Sequence, residues 1–185
     1  MDPPVVPPDR LDGWRRVDEA TERAFAAGHV SVDASTVRYE RAAREPPHPF
    51  CFASRLRIRP ATAPNPALTA LVERQARSGF RDRLAERDIE SVEHRGDREI
   101  TVEDPRASRA TLSTFRGVAR VASRDGRPVP VEALLAVWAA DEYLLGGGAY
   151  PLGEESSPSG ESAADARREL LGIVRGIEPP ADRDG

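Results

Sequence analysis

Residues 50–59, Phe50 to Arg59, read FCFASRLRIR. Phe50, Phe52, Ser54, Leu56 and Ile58 fall on one face, and Cys51, Arg55, Arg57 and Arg59 on the other. Side chains of a β-strand alternate across the sheet, so this stretch predicts a strand with one buried and one solvated face. The sequence upstream has the same character. Val30, Val32 and Ala34 alternate with polar residues, as do Val37 and Tyr39, and the slip of phase at Ser35-Thr36 predicts a bulge there. Trp14 to Phe25 suits either a strand or a helix.

Downstream the period changes. Asn65 is a good N-cap and Pro66 a good first helical residue. Leu68, Leu71, Val72, Ala76, Phe80 and Leu84 then recur at helical spacing, which predicts a long helix with Leu71, Val72 and Phe80 in the core. Gly79 costs such a helix about 1 kcal/mol against alanine, and the expected reason is close approach of another element. Ile89 to Arg95 and Arg98 to Glu103 read as strands joined by a turn at Gly96-Asp97, which also accounts for the Arg95-Gly96-Asp97 tripeptide. Ala110 to Ser123 follows, then a turn signal at Asp125-Gly126. Val129 to Ala140 is apolar on both faces and reads as a central strand. Tyr143 to Tyr150 returns through Gly146-Gly147-Gly148. Residues 151–162 read as a flexible loop, and Ala163 to Ile177 as a closing helix with Leu170, Leu171, Val174 and Ile177 inward. The order predicts an α+β fold: an antiparallel sheet of about six to seven strands with a mid-chain and a C-terminal helix packed on it. Residues 1–12, rich in proline, read as a flexible arm, 13–178 as a single domain and 179–185 as a flexible tail.

Composition excludes several chemistries. All 27 residues in the Lys+Arg count are arginine. Without lysine there is no P-loop lysine, no Schiff base and no kinase-type ATP lysine. Cys51 is the single cysteine, so multi-cysteine metal sites and an internal disulfide are excluded. A net charge of −4 argues against nucleic-acid binding. Arg15-Arg16 is followed by Val17-Asp18-Glu19 rather than an apolar run, and no stretch is apolar enough to span a membrane, so a cytoplasmic location is expected. Arginine-only basicity, with Asn65 and Gln75 as the sole carboxamides, suggests a GC-rich genome and a salty cytoplasm.

The layout resembles the Mog1/PsbP-like domains: two strands, a helix, an antiparallel meander and a closing helix. Four stretches also resemble an uncharacterised family of small proteins from salt-loving (halophilic) archaea. They are Val30–Glu40 (VSVDASTVRYE), Phe52–Leu56 (FASRL), Val137–Pro151 (VWAADEYLLGGGAYP) and Glu169-Leu170-Leu171. The resemblance covers most of Trp14 to Glu178. It implies an accessory or partner-binding domain rather than an enzyme, and supplies no catalytic residue.

The residues themselves offer few sites. His29, His48, His94 and Cys51 match no zinc-ligand spacing, so neither metal nor cofactor is expected. Gly146-Gly147-Gly148 precedes Ala149-Tyr150-Pro151 rather than a helix, which favours close packing on bare backbone over a phosphate cradle. Asp141-Glu142 reads as a hairpin turn. Arg38, Arg55, Arg57 and Arg59, extended by Arg41 and Arg44, form a basic stripe. It is either a docking face for an acidic protein or a solvated face paired with acids on neighbouring strands. The function expected is therefore a non-enzymatic binding domain, monomeric or weakly dimeric, that uses Arg55, Arg57 and Arg59 or the groove beside Gly146–Gly148. The alternative is a small-molecule binder or enzyme with a cavity between sheet and helices, lined by Trp138, Tyr143 and Tyr150. A pocket of several hundred Å³ with convergent polar groups distinguishes the second from the first.

Overall fold

The computed structural model describes residues 1–27, 29–42, 46–107, 109–121, 127–153 and 162–180. Among them are strands β1 (Trp14–Ala27), β2 (Val30–Arg41), β3 (Phe50–Arg59), β4 (Ile89–Thr101), β5 (Arg109–Arg120), β6 (Pro128–Ala139) and β7 (Tyr143–Pro151). Two helices accompany them, α1 (Pro66–Ala85) and α2 (Ala163–Arg175). The strands form one sheet in the order β1-β2-β3-β7-β6-β5-β4, and every neighbouring pair is antiparallel. Connectivity explains that order. β1 to β3 is a meander; α1 then carries the chain across one face to the far edge, and the meander from β4 to β7 returns to meet β3.

The helices lie on opposite faces. Val72, Phe80 and Leu84 of α1 share a cluster with Val32, Phe50, Leu56, Phe115, Leu135 and Leu145. Leu170, Leu171 and Val174 of α2, with Ile177 beyond it, share another with Val37, Cys51, Ala53, Leu134, Trp138 and Tyr150. Consecutive residues such as Leu134 and Leu135 therefore enter different cores, which is why β6 is apolar on both faces. Asn65 caps α1 by accepting from the Leu68 amide at 3.0 Å. Ser162 and Asp165 close a reciprocal capping box on α2.

Several expectations need correction. β4 is one continuous strand. Gly96-Asp97 is no hairpin, because Arg95 is an extra residue bulged between the pairs His94–Phe115 and Gly96–Thr114. β2 pairs with β3 without interruption, so Ser35-Thr36 is not a bulge. The slip of phase there marks a change of cover: Val32 and Ala34 face the α1 side, Val37 and Tyr39 the α2 side. The bulges lie across the pairing, in β1, at Val17 and Ala24. Trp14–Ala27 is thereby settled as strand. Residues 1–12 are docked rather than free. Val5 pairs with Glu178, Val6 is buried, and Arg10 donates to the Gly172 carbonyl at 3.1 Å. Leu71 is only half-buried. The Asp125-Gly126 turn, most of the 151–162 loop, Arg44 and residues 181–185 lie outside the described residues.

Bare backbone at β7 is required for close packing, as expected. A side chain on Gly146 would collide with Ile177, and one on Gly148 with the Phe50 carbonyl and Leu170. Phe80→Ala should cost about 3–5 kcal/mol in denaturant unfolding, since the ring is 4% exposed and its centroid lies 5.7 Å from those of Phe52 and Phe115. A loss below about 1 kcal/mol would mean that this face is loosely packed.

Candidate functional site

On its own face α1 packs toward β4 and β6. The half of that face formed by β1, β2 and β3 is left partly uncovered. A groove of about 640 Å³ runs between it and the helix. Its floor is apolar, built from Phe25, Ala34, Phe50, Phe52, Leu56, Leu135 and Leu145, and Val72, Ala76 and Phe80 form the helix wall. Four of the chain's five phenylalanines line it.

Local sequence rules place these side chains. Phe50, Phe52, Ser54 and Leu56 share a strand face by alternation, as the sequence predicts. Phe52 lies over Gly147, its partner in the β3–β7 register; a Cβ there would stand 3.0 Å from the ring. Glu22 and Phe25 are an odd number of residues apart, yet both reach the groove because Ala24 is bulged out between them. Val72, Gln75, Ala76, Gly79, Arg83 and Glu86 recur at helical spacing along the wall. Gly79 does not admit a neighbouring element, contrary to expectation. A side chain built there meets nothing within 4 Å.

Two polar features interrupt the apolar lining. Thr36 and Ser54 face one another across β2 and β3, and their hydroxyls lie 2.7 Å apart in the floor, 7% and 5% exposed. The two groups carry two protons. One lies between the oxygens, and the other has no acceptor among the described residues. The rim is charged. Arg83 of α1 pairs with Glu22 of β1, and Arg38 pairs with Asp18 while its other nitrogen stands 3.9 Å from the same Glu22. Farther along, Arg87 donates to Glu40 at 2.9 Å and lies over the Phe50 ring at 4.0 Å.

The residues singled out from sequence fall elsewhere. Arg38 belongs to the groove face, opposite Arg55, Arg57 and Arg59, so the basic stripe is not continuous. Arg55 pairs with Glu142, Arg57 stands 3.6 Å from the same carboxylate, and Arg59 donates to Asp33 at 3.1 Å. Arg41 pairs with Glu169 of α2. Trp138 and Tyr150 are buried on the α2 face and Tyr143 on the other, so the three line no common cavity. Trp138 donates to buried Asp104 at 3.2 Å. Tyr150 and Arg167 both donate to Glu132, itself 5% exposed, and Arg116 approaches its second oxygen at 3.4 Å. Burial first, then the Glu132 carboxylate, raises the Tyr150 hydroxyl well above the usual phenol range.

Among the described residues, the candidate nucleophiles Cys51 and Ser113 lack a base. Cys51 is fully buried, and burial reinforced by Glu169 pushes its thiol far up, leaving it inert. Ser113 donates to Asp97 at 2.5 Å, and His94 meets the same carboxylate at 2.8 Å. The hydroxyl thus faces a carboxylate instead of the imidazole, and no proton relay runs from serine to histidine. Burial opposes ionisation of Asp97, yet these two hydrogen bonds hold its carboxyl below the usual range. Among the described residues no three His, Cys, Asp or Glu side chains gather to hold a metal.

A family model described as a domain of unknown function, DUF6517, matches residues 3–178. The chain belongs to that family. No curated protein and no solved structure matches it. Residues 3–12, docked against Glu178 and α2, thus lie inside the family domain.

The Tyr150–Glu132 bond makes stability depend on alkaline pH. The phenol's folded pKa is raised, so its stabilisation is complete below about 10 and is lost as pH climbs above it. Melting temperature should fall as pH rises above about 10, and Tyr150→Phe should flatten that slope. An unchanged slope in the variant would assign the fall to other groups.

Proposed function

We propose that the chain is a non-enzymatic binding protein whose ligand is a small molecule held in the groove between α1 and β1–β3. The observation that carries this reading is the open, aromatic-floored groove beside α1, which Gly79 borders. A mid-helix glycine costs about 1 kcal/mol, and here neither a turn nor a packed neighbour accounts for it: the position opens on empty space above an aromatic floor. A volume near 640 Å³ over an apolar floor with a charged rim suits a ligand of drug-like size. The spare hydroxyl proton of the Thr36–Ser54 pair gives such a ligand one donor at the bottom. Absence of a serine–histidine contact at Ser113 and the inert Cys51 favour binding over turnover.

The alternative, docking of an acidic protein on Arg55, Arg57 and Arg59, is less well supported, because each already faces an acid of its own sheet. We further propose that the domain is Mog1/PsbP-like and comes from a halophilic archaeon, where the acid-rich, lysine-free composition keeps it soluble in the cytoplasm. No helix among the described residues is long and apolar enough to cross a membrane.

Binding of Nile red, a neutral apolar fluorophore, tests the groove. The parent should bind it with a blue-shifted emission. Gly79→Trp should abolish that signal while the fold is kept, because Gly79 lines the groove and its Cβ position is open. Gly79→Ala should raise stability by up to about 1 kcal/mol and leave binding intact. Equal Nile red binding by Gly79→Trp and the parent would overturn the reading.

A further inference from the structure

The charged end of the groove indicates what kind of ligand it takes. Glu22 sits on edge strand β1 with its side chain 45% exposed. One of its oxygens is shared by two guanidinium groups: Arg83 on the helix wall, in direct contact, and Arg38 on the sheet, 3.9 Å away. Each arginine has a further acid of its own. Arg38 is fixed by Asp18, and Arg83 has Glu86 at 4.0 Å. Arg38 thus keeps a close acid of its own when Glu22 moves away. Arg38, Arg83 and Glu22 all line the groove. Arg38 projects on the same strand face as Thr36, two residues along, and pairs in register with Phe52. The carboxylate site thus adjoins the hydroxyl pair and the aromatic floor.

Resting on the groove reading above, we propose that the ligand is an amphiphilic monocarboxylate. Its carboxylate displaces that of Glu22 between Arg38 and Arg83, and its apolar body lies over Phe25, Phe52 and Phe80. Glu22 is the internal stand-in for the ligand's head. Arginine forks suit carboxylates by geometry as well as by charge. A partly exposed side chain on an edge strand swings out to water at little cost, whereas a ligand head brings apolar surface with it.

Competition against bound Nile red tests this. The probes are dodecanoate, dodecanol and dodecyltrimethylammonium, each kept below micelle-forming concentration. Dodecanoate should compete about tenfold more strongly than dodecanol, the scale of a charge-assisted hydrogen bond, and the cation most weakly. Glu22→Gln should strengthen dodecanoate by up to about fivefold, the scale of a partly exposed ion pair, and leave dodecanol unchanged. Arg83→Gln, alone and combined with Arg38→Gln, should remove the preference for dodecanoate while Nile red still binds. Equal competition by all three amphiphiles would overturn the carboxylate assignment and leave the groove standing. A preference that persists in both arginine variants would do the same. Nile red that fails to bind the parent, or binds Gly79→Trp equally, would remove the groove itself.

Discussion

The pairing of β3 with β7 is the contact on which the rest depends. It joins the β1–β3 meander to the β4–β7 meander, and it closes only because Gly146, Gly147 and Gly148 present bare backbone. On one face the missing side chains of Gly146 and Gly148 admit Ile177 and Leu170, which seats α2. On the other face Gly147 admits the ring of Phe52, which reaches Phe80 and forms part of the groove floor. Three consecutive glycines thus serve both cores by strand alternation. Any side chain at this seam disturbs the sheet, a helix or the groove.

Much of the architecture is legible in the residues because burial there follows a single period. Phe50–Arg59 alternates, α1 has its cap and stripe, and Val129–Ala140 is apolar throughout, and each forms the expected element. Expectations failed where one strand is covered differently along its length. The two halves of β2 bury opposite faces, which looks like a bulge when read as a string. β4 is an edge strand with few buried residues, so its glycine was the strongest local signal and suggested a turn where the strand only bulges.

The groove was harder to see for the same reason. Ser54 and Phe52 stood out only as members of a buried face, and Thr36 as part of a slip in phase. Glu22 and Phe25 share a face only through the bulge at Ala24, which periodicity does not reveal. Gly79 was the one available signal. It stands inside a strong helix, yet no neighbouring element approaches it. The arginines that alternation made conspicuous are neutralised by Glu142 and Asp33, one of which lies in a turn distant in sequence.

Irregularity is confined to the outermost strands. β1 and β4 carry the bulges, while the pairings among β2, β3, β7, β6 and β5 run without a break. An open seven-stranded sheet offers unpaired amides and carbonyls along both margins, the usual template for runaway association of chains. Extra residues at Val17, Ala24 and Arg95 put each margin out of step with any straight strand laid beside it. Charged neighbours such as Arg16, Glu19, Arg23, Glu93 and Arg95 add the cost of stripping water from ions. The bulge at Ala24 that aims Glu22 and Phe25 into the groove therefore also blunts the β1 edge against further pairing.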